Sequence, residues 1–426
     1  MAQRSRIVIV GGGFAGLHAA RALARRDDVS VTVVDRRNHH VFQPLLYQVA
    51  TAALSPGDIA SPIRWILRRQ KNVSVWLAEV VRIDAARRCL ELSSGPPLEF
   101  DFLIVAAGVT HAYFGRDDWR ETAPGLKSME DALHMRRKIL LAFEEAEQSA
   151  SPSACADAGL LTFVVVGGGP TGVELAGALA EIARHTMKHD FRRIDPASSS
   201  IVLVEGGPRL LPTFAAKQGA FAERALARLG VTVRTSARVT GVDAGGVTIL
   251  GADGSETRLA SRTVLWAAGV AASPLGQAFP DLIDRAGRVQ VQPDLTVPGH
   301  PAIFVVGDLA TLQGPKGAPY PGVAQVAMQQ GAQAAKNILR AIDGKALRPF
   351  SYFDWGNMAT IGRAKAIADF GWLQMQGFIA WLAWLFIHLV KLIGFRNRLS
   401  VLLQWAWAYA SYQRNVRLIT EEDDRR

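Results

Sequence analysis

The chain has 426 residues, 49% of them hydrophobic and 20% charged, with a formal net charge of +10. That length exceeds one hydrophobic core and suits two or three domains, and the composition excludes disordered and fibrous chains. The positive balance favours anionic partners, pyrophosphates or membrane headgroups, and no basic cluster with spaced aromatics in the main body points to nucleic acid.

Arg4 and Arg6 precede an apolar run and so imitate a secretory signal. The run Arg6-Ile7-Val8-Ile9-Val10 leads instead into Gly11-Gly12-Gly13-Phe14-Ala15-Gly16, which makes it a strand entering a helix. In this G-x-G-x-x-G pattern the first glycine allows the tight turn, the second lets backbone approach a pyrophosphate, and the third lets helix and strand pack closely. The phosphates then meet free N–H groups at the helix N-terminus, where the macrodipole favours negative charge. Val31-Thr32-Val33-Val34 ends in Asp35, near the ~20-residue spacing of an acid that accepts from ribose hydroxyls. Because a strand begins almost at once, no mitochondrial presequence is expected, which favours a bacterial setting. Phe100 to Val105 reads as a buried strand, followed by Ala106, Ala107 and Gly108, small residues past which a cofactor backbone could run.

Ser128 to Gln148 is helical in pattern, and Ser151-Pro152-Ser153-Ala154 reads as a linker. Thr162-Phe163-Val164-Val165-Val166 then leads into a second loop, Gly167-Gly168-Gly169-Pro170-Thr171-Gly172. Its acid, Glu205 after Ile201-Val202-Leu203-Val204, lies at nearly twice the usual spacing, with the surplus, His185 to Arg193, read as a lengthened helix and loop. A carboxylate there would repel the 2′-phosphate of NADPH, an effect that nearby Arg209 could weaken. Thr263 to Trp266, followed by Ala267-Ala268-Gly269-Val270, echoes the strand ending at Gly108. Ala302 to Val306, ending in Gly307-Asp308, is one more strand, assigned back to the first domain. Two such loops imply two dinucleotides, most economically a tightly held FAD and a visiting NAD(P)H. Cys89 and Cys155 form no C-x-x-C pair, so a reducing compartment with no disulfide framework and no metal site is expected, and Cys89 reads as packing.

The expected division is a discontinuous FAD-binding domain of residues 1–115 and 271–347, an NADH-binding domain of 116–270, and a tail of 348–426 rich in Trp, Phe and Leu. From Phe378 to Val390 the tail is apolar except for His388, short of the ~20 residues that span a bilayer. On a helix, Gln374, Gly377, Trp381, Trp384, His388 and Lys391 form one stripe, suited to the interface by its Trp, and Ile379, Leu382, Phe386, Leu389 and Ile393 form an apolar one. Two amphipathic helices in one leaflet are expected, the second over Leu399 to Tyr412, with Lys391, Arg396, Arg398, Arg414 and Arg417 facing anionic lipid. A transmembrane span and a buried dimer interface are the other options.

Four stretches carry a resemblance: His40-Val41-Phe42-Gln43-Pro44-Leu45-Leu46-Tyr47-Gln48-Val49-Ala50-Thr51, Gly167 through Ala176, Pro321 through Gly331, and Gly394-Phe395-Arg396-Asn397-Arg398 with its Trp-rich flanks. The chain resembles the flavoproteins with two dinucleotide-binding domains and, more narrowly, the type II, or alternative, NADH:quinone oxidoreductases. The resemblance implies an α/β fold of two doubly wound Rossmann-like domains with a C-terminal amphipathic helical anchor. It implies an enzyme that passes electrons from NADH to FAD and reduces a membrane quinone, ubiquinone or menaquinone, to quinol without pumping protons. It also implies monotopic attachment to the cytoplasmic face of a bacterial cell membrane, with a homodimer through the C-terminal region as a further option.

For FAD the matching positions are Gly11, Gly13, Phe14, Ala15, Gly16, Asp35, Gln43, Leu46, Ala107, Gly108, Gly307, Asp308, Ala324 and Gln325. For NADH they are Gly167, Gly169, Pro170, Thr171, Gly172, Glu174, Glu205, Ala268 and Gly269. The resemblance puts Glu174 by the flavin ring on the nicotinamide side, and Gln325 and Gln329 at the quinone end. Glu174 can also be read as a first-turn acid stabilised by the helix dipole, and the two glutamines, at i and i+4, as a polar helix face. The stretch Gly322 to Gln333 is expected to open a helix toward the flavin's pyrimidine end. Gln43 to Gln48 stands where disulfide reductases carry their cysteine pair, and no cysteine suits a persulfide carrier. The alternative function is a soluble FAD-dependent NAD(P)H reductase of a protein redox partner, with the tail as its docking surface.

Overall fold

The strands after which both glycine loops turn are unbroken apolar runs, the pattern of parallel strands covered on both faces. The computed structural model describes residues 4–24, 26–315, 317–411, 413 and 416–420, so Tyr412 and Arg414 of the expected tail lie outside the described residues. The chain divides into two units: Met1–Val41, Ala60–Thr110 and Val270–Trp355 form one, and Phe42–Ile59, His111–Gly269 and Gly356–Arg426 the other.

The sheet of the first unit runs in the order Thr296–Val297, His300–Val305, Phe102–Val105, Ser5–Val10, Val29–Asp35, Val73–Leu77. All neighbours are parallel except the Thr296–Val297 edge. His300–Val305 thus returns the chain to the first sheet, beside the strand that ends before Ala106. The helix Phe14–Leu23 is covered by the helix Ala324–Ile342 so closely that a Cβ on Gly331 would overlap the Ala15 carbonyl.

The sheet of the second unit repeats the design with four parallel strands, Val231–Arg234, Ser200–Val204, Thr162–Val166 and Thr263–Trp266 in that order. The helix Met129–Gln148 begins in a capping box, Ser128 accepting from the Asp131 N–H and Asp131 from the Ser128 N–H. Ser151 to Ala154 is not the expected linker. Ser151 caps a short helix, Pro152–Asp157, with Pro152 in its first turn, because Ser-Pro starts a helix as readily as it breaks one. Beyond the helix Pro170–Glu181 a π turn, Ile182–Thr186, opens the long connection to Ser200–Val204.

Two segments group differently from the expected division, since residues 42–59 and 356–426 both cluster with the second unit, while 348–355 stay with the first. Their contacts give the reason. Gly177 has no room for a Cβ beside the Ile361 carbonyl in the strand Asn357–Gly362, so the helix Pro170–Glu181 lies directly on the tail sheet. Asp58 accepts from Ser400 at 2.8 Å and Gln404 at 2.9 Å, both on the helix Phe395–Ser411. Gln374–Gly377 is a strand, and the first tail helix is Phe378–Lys391.

The expected interfacial Trp stripe is turned the other way. Trp384 is buried and stacks on His388 at 4.2 Å, its large ring held inward by aromatic packing that also includes Trp405 at 5.6 Å. Phe378, Ile379, Leu382, Phe386 and Val390 are the exposed side, continued by Phe395, Leu399, Leu402, Leu403 and Trp407 on the second helix. Arg417, expected to face lipid, instead pairs with Asp190 at 2.6 Å and donates to the Thr186 carbonyl. Among the described residues no helix is long and apolar enough to cross a membrane.

Candidate active site

In the first loop Gly11 has φ +102°, and a Cβ there would overlap the Ala106 carbonyl. A Cβ on Gly16 would overlap the carbonyl of Gly11, whereas Gly13 faces open space. Gly13 caps the helix Phe14–Leu23 without any side-chain cap, so the first N–H groups and the positive helix end remain available to an anion. The Gly12 N–H donates to one Asp35 carboxylate oxygen at 2.6 Å and the Arg37 N–H to the other at 2.7 Å. An ionised carboxylate offers about four acceptor positions, so ribose hydroxyls can still be taken. This open cradle beside a bare helix end fits the pyrophosphate of a dinucleotide.

Gly307, at φ +72°, donates its N–H to Gln330 at 2.7 Å and brings Asp308 close to Gly322. Ala324 opens its helix with no side-chain cap and no acid in the first turn. Ala107 and Gly108 follow the strand Phe102–Val105, and no atom lies within 4 Å of a Cβ built on Gly108. Gln43 and Leu46 belong to the second unit, Gln43 donating to the Lys127 carbonyl and Leu46 being buried. His40 has a place the sequence did not assign. Buried, and held neutral by burial that pushes it down to about 4, it donates from Nδ1 to the Gly12 carbonyl at 3.2 Å.

The second loop repeats these contacts. A Cβ on Gly172 would overlap the Gly167 carbonyl, Gly169 faces open space, and Pro170, lacking an N–H, occupies the first helical turn, followed by half-buried Thr171. The Glu205 carboxylate accepts from the Gly168 N–H at 2.5 Å and the Gly207 N–H at 2.6 Å. Arg209 is tied to the Phe214 and Pro212 carbonyls at 2.8 and 2.7 Å. Past Ala268, Gly269 stands at φ +76° under the ring of Phe114, whose own φ is +54°. A left-handed conformation costs a residue with a Cβ roughly 1–2 kcal/mol, and nothing in the sequence singles Phe114 out.

Glu174 lies past the first turn of its helix, which holds no acid, so the dipole reading fails. It forms part of the wall of a cavity of about 120 Å³, shared with Tyr47, Gln48, Thr360, Trp384 and Trp405. Desolvation pushes its carboxyl up to about 8, only partly opposed by a 3.4 Å hydrogen bond from the Thr360 N–H, so it holds its proton at neutral pH. Trp405 donates to Gln48 at 2.8 Å and Gln48 to the Tyr47 hydroxyl at 2.9 Å, which fixes that wall. Gln325 and Gln329 are not merely a solvated face. Gln329 exchanges two hydrogen bonds with the Phe353 backbone, at 2.9 and 3.0 Å, and Gln325 accepts from the Trp355 N–H at 3.0 Å.

Residues 5–331 match the family model for pyridine nucleotide-disulphide oxidoreductases, and residues 355–410 match that for the NDH2 C-terminal domain. The chain is 46% identical over 430 residues to the type II NADH:quinone oxidoreductase Ndh of Mycobacterium tuberculosis, covering 99% of this chain and 91% of that protein. It is 47% identical over 433 residues to NdhA of the same organism, covering 98% and 90%. The solved structure of NDH2 from Plasmodium falciparum in complex with NADH shares the fold at TM-score 0.89 and 21% identity, covering 98% of this chain and all of that one (100%). A sulfide:quinone oxidoreductase from Aquifex aeolicus shares it at TM-score 0.68 and 18% identity, covering 98% and 93%.

Proposed function

The chain belongs to the type II NADH:quinone oxidoreductase family and oxidises NADH with a quinone through a flavin, and on that premise we propose that the flavin is FAD, the acceptor a membrane quinone, and the place of work the cytoplasmic face of a bacterial membrane. The observation that carries this reading is the pair of loops, each opening a bare helix end and each closed by its own carboxylate. FAD, when bound, accepts two electrons from NADH and passes them to the acceptor.

The first loop, Asp35 and Asp308 hold FAD by its pyrophosphate and sugar. The second loop and Glu205 hold NADH, and Arg209, committed to carbonyls, leaves the Glu205 charge to turn away a 2′-phosphate. Glu174 keeps a proton on its carboxyl at neutral pH and presents it to the cavity. Gln325 and Gln329 act on the quinone half-reaction through the backbone of residues 353–355 that they hold.

The exposed apolar side of the two tail helices enters one leaflet, with Lys391, Arg396 and Arg398 adding on the order of 1 kcal/mol each toward anionic lipid. Leu382→Glu with Phe386→Glu is expected to release the protein from anionic vesicles while leaving flavin content unchanged. A dimer that dissociates in this variant, with vesicle binding intact, would assign the face to a second copy instead. Flavin released by denaturation is expected to be FAD, and FMN would contradict the two-nucleotide reading.

A further inference from the structure

Phe114 occupies the first central position of a tight turn closed by the Arg116 N–H on the Tyr113 carbonyl at 3.0 Å. Both central residues have positive φ, +54° at Phe114 and +87° at Gly115. Turns of this kind favour Asn or Gly at that position, and a bulky ring there is strained. Burial does not compensate, since Phe114 is 73% exposed. The neighbouring rings impose the turn: Tyr113 stacks on Trp266 at 5.2 Å, Trp266 Nε1 donates to the Ala112 carbonyl at 2.9 Å, and the Tyr113 hydroxyl donates to the Ala123 carbonyl at 2.8 Å. Strain held in place by its surroundings is characteristic of ligand sites.

The sheet order says which ligand part is near. The strand ending in the second loop lies between the strand ending at Glu205 and the strand ending at Ala267-Ala268-Gly269. A Cβ on Gly167 would lie 2.7 Å from the Ala267 carbonyl oxygen and 2.8 Å from the Ala268 nitrogen, and one on Gly269 would lie 2.5 Å from the Phe114 Cζ. A dinucleotide with its adenosine ribose at Glu205 and its pyrophosphate at Gly169 therefore runs on over Gly269 to Phe114.

We propose that Phe114 is a positioning residue for the nicotinamide ring of NADH, packing its exposed face against that ring beyond Gly269. This rests on the assignment of NADH to the Gly167–Gly172 loop. The test is calorimetric titration of the FAD-loaded enzyme with 1,4,5,6-tetrahydro-NAD, a non-reducing analogue, and with ADP-ribose, which lacks the ring. Phe114→Ala is expected to weaken the analogue about tenfold and leave ADP-ribose unchanged. Phe114→Tyr keeps both affinities. Phe114→Asn, which suits the turn, raises the melting temperature and still weakens the analogue, which separates lost binding from lost folding. Unchanged analogue affinity in Phe114→Ala, or equal losses for both ligands, overturns the proposal. Gly169→Glu guards the premise: if ADP-ribose still binds that variant as it binds the wild type, the loop is not the NADH site and the proposal falls with it.

Discussion

In the first unit the helix after the loop is covered by Ala324–Ile342, and the loop's Gly12 carbonyl is held by buried His40. In the second unit the helix Pro170–Glu181 meets the tail sheet through Gly177, and its Glu174 lines a cavity. The closing contacts match: a glycine N–H on the carboxylate at 2.6 Å in one loop and 2.5 Å in the other, and a third glycine with no room for a Cβ in both. What differs is the residue seven places after the first glycine, His18 in one and Glu174 in the other, and what covers the helix. The two loops thus share one geometry and differ in their surroundings, and the proposed assignment of a resident cofactor to one and a visiting substrate to the other rests on that difference.

The largest expected effect breaks both loops alike. In Gly16→Ala or Gly172→Ala the new methyl meets a backbone carbonyl that cannot retreat, so each is expected to lose roughly 3 kcal/mol or more, read as a lower melting temperature. A tolerated alanine at either position would show that the tight approach is not required.

Glu174 sharpens the difference between the units through pH. Its carboxyl is raised in the folded protein from 4.5 to about 8, so the native state holds a proton that the unfolded chain has lost. The contribution of this group to stability is therefore full below about pH 4.5, falls as pH rises to about 8, and levels off above. Glu174→Gln is expected to remove that slope, worth a few kcal/mol at most at about 1.4 kcal/mol per pKa unit. Parallel pH–stability curves for variant and wild type would contradict the shift.

The smaller contrast lies between the two closing acids. Glu205→Gln is expected to raise the NADPH-to-NADH efficiency ratio roughly ten- to a hundredfold, or ~1–3 kcal/mol, with flavin content unaffected. An unchanged ratio would place discrimination elsewhere.

The geometry of both loops and of the acids that close them was legible in the chain because backbone contacts set it, and a glycine pattern between a strand and a helix leaves few alternatives. The apolar side of the tail was legible from helical spacing. The facing of Trp384 was not, since an indole suits an interface or a core equally and the deciding contact is with His388. Ser151 looked like a linker because capping and breaking use the same residues. His40 and Phe114 carry no sequence signal for their placement: one bonds a carbonyl 28 residues away, the other adopts a φ that phenylalanine rarely takes.

The division of labour between the loops is tested most directly by placing a carboxylate at the open position of each, since Gly13 and Gly169 both have room for a side chain. The measurement is the flavin absorbance band of the purified protein before and after anaerobic addition of NADH. Gly13→Glu is expected to be folded and colourless. Gly169→Glu is expected to be yellow, with a band that NADH no longer bleaches at concentrations that bleach the wild type at once. A colourless Gly169→Glu protein, or one that bleaches as fast as the wild type, would contradict the assignment of FAD to the first loop and NADH to the second.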